Sequence, residues 1–491
     1  MTQFLGNSEL LHAKQFIGSQ DPSAPPPGGQ WQRHSLSDLL TIFTHPALEV
    51  GYGRAENTDV LLLGMALDPD QPTQTNSGIA TDLAKAFASH GLPSIASSHQ
   101  LRRLGGRFAL IVRKGTTAEV HPDALGSKPI YFTHRDGKST FASTPSLLYE
   151  CGFAGHDQEA ADEFLSFPNS GSWPIGILPY PGVTQVTPNS YLDILSGRRF
   201  RLPLIPPGRT LAVEDLVPWM TDRITRLFRA ASSRSRLTLP LTAGFDSRLL
   251  LATFPQDHYP DTRWVTVVSG TTSSADRKLP ARIARQLSLR YQFVTAEETP
   301  ESLLQQLDRN VGGLLTDRTR QRTSGFQAAA SGSLFCSGNG PEVFRHFYDP
   351  NNKISDPGSL SARDLANLAG FPDNPYAREG FASWRSDLSD ASYGILDLLY
   401  WEHRMGVWQS SVTTFREAIM EEFMPINSRE IIEASLSTSL SARVDPYRLH
   451  RELIRYASPW LSTLPYNSSN RWSAIAKQVS RFFKRSRRSK Q

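Results

Sequence analysis

Apolar and polar positions change rhythm along this chain. Residues 59–67, DVLLLGMAL, form an apolar run of strand length, and 79–91, IATDLAKAFASHG, space apolar residues as a helix does. GGRFALIVRKG at 105–115 is a second apolar run, closed by Lys114 and Gly115. From 118 to 143, AEVHPDALGSKPIYFTHRDGKSTFAS, short alternating runs are split by Gly-Ser and Asp-Gly turns, which predicts an antiparallel meander. GVTQVTPNSYLDIL at 182–195 predicts a further strand pair, and DPSAPPPGG at 21–29 an early loop.

After 210 the rhythm differs. An amphipathic helix is expected from Val213 to Ser232. RLTLPL, WVTVV and YQFVTA then read as strands, separated by helices at DSRLLLATF and SADRKLPARIARQLS. Strands alternating with helices predict a doubly wound parallel sheet. Residues 380–470 read as mostly helical. Between the two regimes, RLPLIPPGR at 201–209 carries three prolines and a glycine and is the expected linker. The expected division is 1–205, 210–470 and a basic amphipathic tail at 471–491, within an α/β chain.

The length of 491 residues accommodates two such units, each with a full core. Hydrophobic residues at 39% and charged residues at 20% exclude a disordered or membrane-embedded chain. No run of about 18 apolar residues occurs, and residues 1–30 lack a basic start followed by an apolar stretch. With only Cys151 and Cys336, no disulfide framework is expected, so the chain reads as cytoplasmic. The net charge of +5 is misleading. Arg471, Lys477, Arg481, Lys484, Arg485, Arg487, Arg488 and Lys490 supply more than all of it, and the rest of the chain is acidic. No nucleic-acid partner is expected.

One stretch concentrates chemistry: Leu241-Thr242-Ala243-Gly244-Phe245-Asp246-Ser247, between an apolar strand and a helix. Small residues let the backbone approach a ligand, and the helix start offers amide donors. Thr242 and Ser247 add hydroxyls, and Asp246 can hold a cation that offsets phosphate charge. Asp and Ser also suit a plain capped helix start.

This loop resembles the S-G-G-x-D-S loop of the asparagine synthetase family, PP-loop ATP pyrophosphatases that include β-lactam synthetases and lasso-peptide cyclases. Further segments follow in the family's order. SADRKLPARIARQLSLRYQFV resembles its Asp-led helix and strand. LFCSGNGPEVFRHFY resembles its S-G-x-G-x-D-E motif, and EFMPINSREIIEASL its P-F-L-D segment. LRRLGGRFALIV, HPDALGSKPIYF and FASTPSLL resemble its N-terminal glutaminase-type domain, an Ntn-type α-β-β-α sandwich. The resemblance implies that a carboxylate attacks the α-phosphate of ATP, pyrophosphate leaves, and the acyl-adenylate passes to an amine. It also implies ATP and Mg2+ as cofactors. Leu241, Thr242, Gly244, Asp246, Ser247, Ser269, Ser337 and Gly338 would then lie at the nucleotide, with Asp246 and Glu342 at the metal. A C-terminal cation, Lys477, would steady the second transition state.

The chain departs from the pattern at informative places. Thr2 stands where glutamine-using members carry a cysteine nucleophile, and GMALDPD replaces the glutamine-binding N-G-E segment. Nitrogen from glutamine is therefore not expected, and residues 1–205 are read as a degenerate domain. Ala243 replaces a glycine. Glu342 takes the place of an aspartate, and Asn339 stands where the family places an acceptor-step Glu or Tyr, so asparagine synthesis itself is not expected. Glu402 and Tyr348 are the candidate pair to deprotonate an amine; a surface ion-pair helix beside an aromatic stripe fits Glu402 and Arg404 equally. His346 and His403 show no zinc-ligand spacing, and Cys336 reads as a small core residue.

The expected function is an amide-forming ligase joining a small-molecule or peptide carboxylate to an amine, as in peptide ring closure or sugar-acid amidation. The alternative is a non-catalytic scaffold that keeps the fold. In the tail, Trp472, Ile475, Val479, Phe482 and Phe483 recur at helical spacing among the basic residues. They fit peripheral contact with an anionic membrane at its inner face, or a solvated tail.

Overall fold

The computed structural model describes residues 10–21, 31–37, 40–89, 98–166, 171–202, 210–269, 272–312, 315, 317–388, 393–445 and 447–466. Thr2, Lys477, the tail at 471–491 and most of the loops at 21–29 and 201–209 lie outside these residues.

The N-terminal half builds two six-stranded antiparallel sheets. One contains β1 (Phe16–Ser19), β2 (Gln32–Ser37), β3 (Leu40–Thr44), β8 (Ile130–Arg135), β9 (Lys138–Ala142) and β10 (Thr184–Val186), in the order β10-β8-β9-β1-β3-β2. The other contains β4 (Val50–Ala55), β5 (Thr58–Leu67), β6 (Gly105–Lys114), β7 (Thr117–Pro122), β11 (Ser190–Asp193) and β12 (Arg198–Arg201), in the order β12-β11-β7-β6-β5-β4. Alternation along β5 explains the layering. Leu61 and Leu63 join Phe16, Ile42, Phe132 and Phe141 in one apolar cluster that draws on both sheets. Val60 and Leu62 face the other way, onto Ile79, Leu83 and Phe87 of helix α1 (Asn76–Ala88).

Two expectations are corrected here. The stretch 118–143 is no single meander: β7 belongs to one sheet and β8–β9 to the other. The Asp123 carboxylate organises the crossing, accepting N–H bonds from Leu125, Ser127 and Lys128. The expected pair within 182–195 is likewise divided, because β10 pairs with β8 and β11 with β7 and β12. The Asp-Gly turn holds as read. Arg135 pairs with Lys138, and Asp136 and Gly137 have φ of 51° and 72°, the left-handed pair of a two-residue hairpin.

The C-terminal half has a five-stranded parallel sheet: β13 (Leu237–Pro240), β14 (Arg263–Val268), β15 (Tyr291–Thr295), β16 (Leu334–Cys336) and β17 (Glu421–Phe423), in the order β15-β14-β13-β16-β17. β13 comes first in the chain and lies in the middle. The order runs one way from β13 to β15 and the other way from β16, so the switch point falls between β13 and β16. In open parallel sheets that point, at the carboxyl ends of the strands, is where ligands bind. The expected amphipathic helix is Val213–Arg234, whose buried face includes Leu216, Met220, Ile224, Leu227 and Phe228. The region beyond 360 is mostly helical, with β17 inserted. Among the described residues no helix is long and apolar enough to cross a membrane.

Candidate functional site at the switch point of the parallel sheet

β13 runs into Leu241, then the loop 242–244, then helix α6 (Phe245–Thr253). Leu241 is fully buried and its N–H donates to the Val265 carbonyl at 2.8 Å, so it extends the sheet. The Thr242 and Ser247 hydroxyls stand 2.7 Å apart. Three loop amides already have acceptors in the protein. Thr242 N donates to Ser247 Oγ at 3.0 Å, Ala243 N to Asp276 Oδ1 at 2.9 Å, and Gly244 N to Thr242 Oγ1 at 3.1 Å. These three amides shape the loop. At the start of α6 Gly244 provides no side-chain cap, and a helix start of this kind favours negative charge.

β16 delivers the second loop. The Ser337 N–H donates to the Phe423 carbonyl at 2.7 Å. A Cβ built on Gly338 would lie 3.8 Å from Asp246 Cβ and 3.9 Å from Ser247 N, so the two loops touch across the switch point. Gly340 needs to be glycine, with φ of 106° and a built Cβ 2.7 Å from Ile426 Cδ1. Its N–H donates to Glu342 Oε2 at 3.0 Å, and Tyr400 OH donates to the same oxygen at 3.1 Å. Asn339 Nδ2 donates to Gln409 Oε1 at 3.0 Å. Ser269, at the end of β14, is tied into its own turn by Thr272 and reached by Arg277.

The C-terminal segment packs onto the first loop. Phe245 is sandwiched between the Tyr447 and Tyr466 rings, with centroids 4.0 and 3.8 Å away. Arg248 is fully buried; it donates to the carbonyls of Ala243, Leu464 and Pro465 and stacks 3.8 Å over Tyr466. His450 Nε2 lies 3.3 Å from Asp246 Oδ1.

The acceptor pair is corrected. Glu402 is wholly buried: Oε1 accepts from Asn189 at 3.0 Å and Arg201 at 2.5 Å, and Oε2 from Trp384 at 2.8 Å. Both oxygens are engaged, so Glu402 is a tie between β12 and the wide i→i+5 turns at Leu399–Gln409, with no path to a free amine. Tyr348 is buried and burial pushes its phenol up to about 12, which keeps the proton on at neutral pH. Tyr400 is the tyrosine that meets a motif carboxylate. Cys336 is buried and its thiol is pushed well up by burial, as expected of a core residue. His403, also buried, is lowered to about 3 by desolvation and stays neutral.

Sequence reasoning missed Tyr400 and His450, and it noted Asp276 only as the acid that leads a helix, with no role at the loop. Asp276 carried a signal, since Ser273-x-x-Asp276 is a capping pattern and Ser273 Oγ does accept from Asp276 N. Tyr400 and His450 carried none, because their partners lie far off in the chain. Among the described residues no three His, Cys, Asp or Glu side chains gather as a metal cage. Asp246 and Glu342 in adjoining loops match what Mg2+ takes from protein when phosphate oxygens and water complete its shell. A separate cleft of about 530 Å3, lined by Glu298, Thr299, Glu301 and Arg320, opens beyond β15 on the carboxyl side of the sheet.

No protein-family model matches the chain. It is similar to an N-acetyl-gamma-glutamyl-phosphate reductase of Corynebacterium kroppenstedtii, 29% identical over 194 residues, which is 38% of this chain and 47% of that protein. The chain therefore spans about half the length of this curated relative. Two solved structures are also similar. One is an allosteric regulatory enzyme of purine biosynthesis, with TM-score 0.25, 11% identity, and coverage of 74% of each chain. The other is a glutamine phosphoribosylpyrophosphate amidotransferase from B. subtilis complexed with ADP and GMP, with TM-score 0.25, 12% identity, and coverage of 67% of this chain and 70% of that one. At that TM-score neither bears on the fold described above.

Proposed function

We propose that the chain is an ATP-dependent ligase of the asparagine synthetase type, which activates a carboxylate as its adenylate, releases pyrophosphate and passes the acyl group to an amine. Residues 1–205 would be a degenerate Ntn-type domain without glutamine hydrolysis, and 210–470 the synthetase unit. The observation that carries this reading is the meeting of the two loops. The Thr242–Ser247 hydroxyl pair, the uncapped start of α6 and the Ser337–Glu342 turn adjoin at the switch point, where Gly338 approaches Asp246 and Ser247.

The residues suit the charge that develops on a leaving pyrophosphate. The first turn of α6 supplies oriented amides, Thr242 and Ser247 supply hydroxyls, and Ser337 and Gly338 close the far side. Asp246 and Glu342 would hold Mg2+, which supplies Lewis-acid neutralisation of phosphate charge when bound. Tyr400 orients Glu342 through its hydroxyl. The substrates are a small-molecule or peptide carboxylate and an amine. The 471–491 segment is proposed as a peripheral membrane contact on the cytoplasmic side.

A second reading, a non-catalytic scaffold, is favoured by one observation: the amides of 242–244 are already satisfied within the protein. Calorimetric titration with Mg-ATP separates the two. Binding by wild type that is lost in Asp246→Ala, followed by pyrophosphate release in an acid screen, is the expected result. A folded wild type that binds no Mg-ATP overturns the ligase reading in favour of the scaffold.

A further inference from the structure

His450 belongs to no motif read from the sequence, yet the fold aims it at the loop. It sits in the helix Arg448–Ala457, which packs on α6, and it is 0% exposed. Phe344 and Tyr447 frame its ring with centroids 5.5 Å away, and Phe245 stands at 6.4 Å. Within this aromatic box neither ring nitrogen has an aligned hydrogen-bond partner among the described residues. Nε2 instead lies 3.3 Å from Asp246 Oδ1, an approach that a small turn of either side chain converts into a hydrogen bond. Long or misaligned contacts of this kind are common before a ligand tightens the site. Phenylalanine would fill the same box without the cost of a buried unsatisfied nitrogen, so packing alone does not account for a histidine here.

We propose that His450 is a positioning residue of the nucleotide site, donating from Nε2 to Asp246 Oδ1 and so fixing the orientation in which that carboxylate would hold Mg2+. The inference rests on the nucleotide-binding reading above. Groups that orient a ligating carboxylate typically change metal affinity 10–100-fold when removed.

The test compares His450→Gln with His450→Asn. A glutamine amide reaches the Nε2 position and an asparagine amide stops short of it, while both remain small and polar. Mg-ATP and metal-free ATP are titrated calorimetrically into wild type, both variants, Asp246→Asn and Asp246→Asn/His450→Asn, with melting curves for each. The expected result is binding about tenfold weaker for H450N, within about threefold of wild type for H450Q, and little change for metal-free ATP. In the Asp246→Asn background H450N adds nothing. H450N binding Mg-ATP as wild type does, or losing the same factor with Asp246 already changed, overturns the positioning role while leaving the nucleotide reading intact. Should H450N fail to fold, a folded H450Q that binds about tenfold more weakly also overturns it. A wild type that binds no Mg-ATP overturns both.

Discussion

Glu402 and Asp246 are carboxylates on helices of the same half of the molecule, and the fold treats them in opposite ways. Glu402 has no exposed surface, and three donors from separate elements share its two oxygens. Asp246 sits at the start of α6, keeps 22% of its side chain exposed and faces His450 at 3.3 Å, next to a second loop that carries Glu342. The first arrangement uses up the hydrogen-bonding capacity of the charge and so joins elements. The second leaves part of the carboxylate exposed beside a neighbouring loop. A buried acid whose partners are all protein groups is a fastening; a partly open acid at a strand switch point stands where open parallel sheets bind ligands.

The largest expected effect breaks the fastening. Arg201→Met leaves the buried Glu402 side chain with only Asn189 and Trp384, and should cost about 3 kcal/mol or more in urea unfolding. A loss under about 1 kcal/mol would mean that Arg201 contributes no more than a surface ion pair. Asp246→Ala should show the reverse profile. Stability should stay within about 1 kcal/mol of wild type, while calorimetric Mg-ATP binding disappears. If both substitutions mainly destabilise, the distinction between the two acids collapses.

A third carboxylate sharpens the comparison. Glu417 is buried between Arg107 at 2.5 Å and Lys128 at 2.8 Å. Burial, opposed by Glu417, lowers the Lys128 ammonium to about 8. Between pH 8 and 10.5 the unfolded chain then binds more protons than the folded one, so this group makes stability rise with pH across that window. Lys128→Gln should flatten that rise in unfolding measurements at pH 8, 9 and 10. The smallest effect is at Glu150. Burial works to raise its carboxyl, but His12 and Arg309 overcome this and hold it at about 2. Its contribution is present above about pH 4.5 and is lost as pH falls toward 2. Arg309 is 58% exposed, so Arg309→Ala should cost no more than about 1 kcal/mol at pH 7 and shift acid unfolding upward. No change in the acid midpoint would leave His12 alone responsible.

Much of the architecture was legible because it is local. The strand–loop–helix at 237–253 combines an apolar run, small residues and a helix start, and no distant partner is needed to recognise it. The parallel sheet followed from alternating strands and helices, and the hairpin at Asp136–Gly137 from a turn that favours positive φ. β1 to β4 went unread, since QRHSLS of β2 is a polar edge strand and FIGS of β1 is too short to show a period. The stretch 118–143 showed its strands but not the sheets they join, because alternation specifies which face is buried and says nothing of the neighbour.

By itself the sequence determined the two regimes of secondary structure, the place of the loop and the residue types in it. Tertiary structure decided which of those residues became fastenings. Glu402 looked like an acceptor base until Arg201, 201 residues away in the chain, closed on it. His450 looked like nothing until the helix Arg448–Ala457 laid it against Asp246. The reason is physical. Helix and turn preferences are set by neighbours within a few residues, whereas the solvation and pairing of a charge depend on which distant surfaces pack over it.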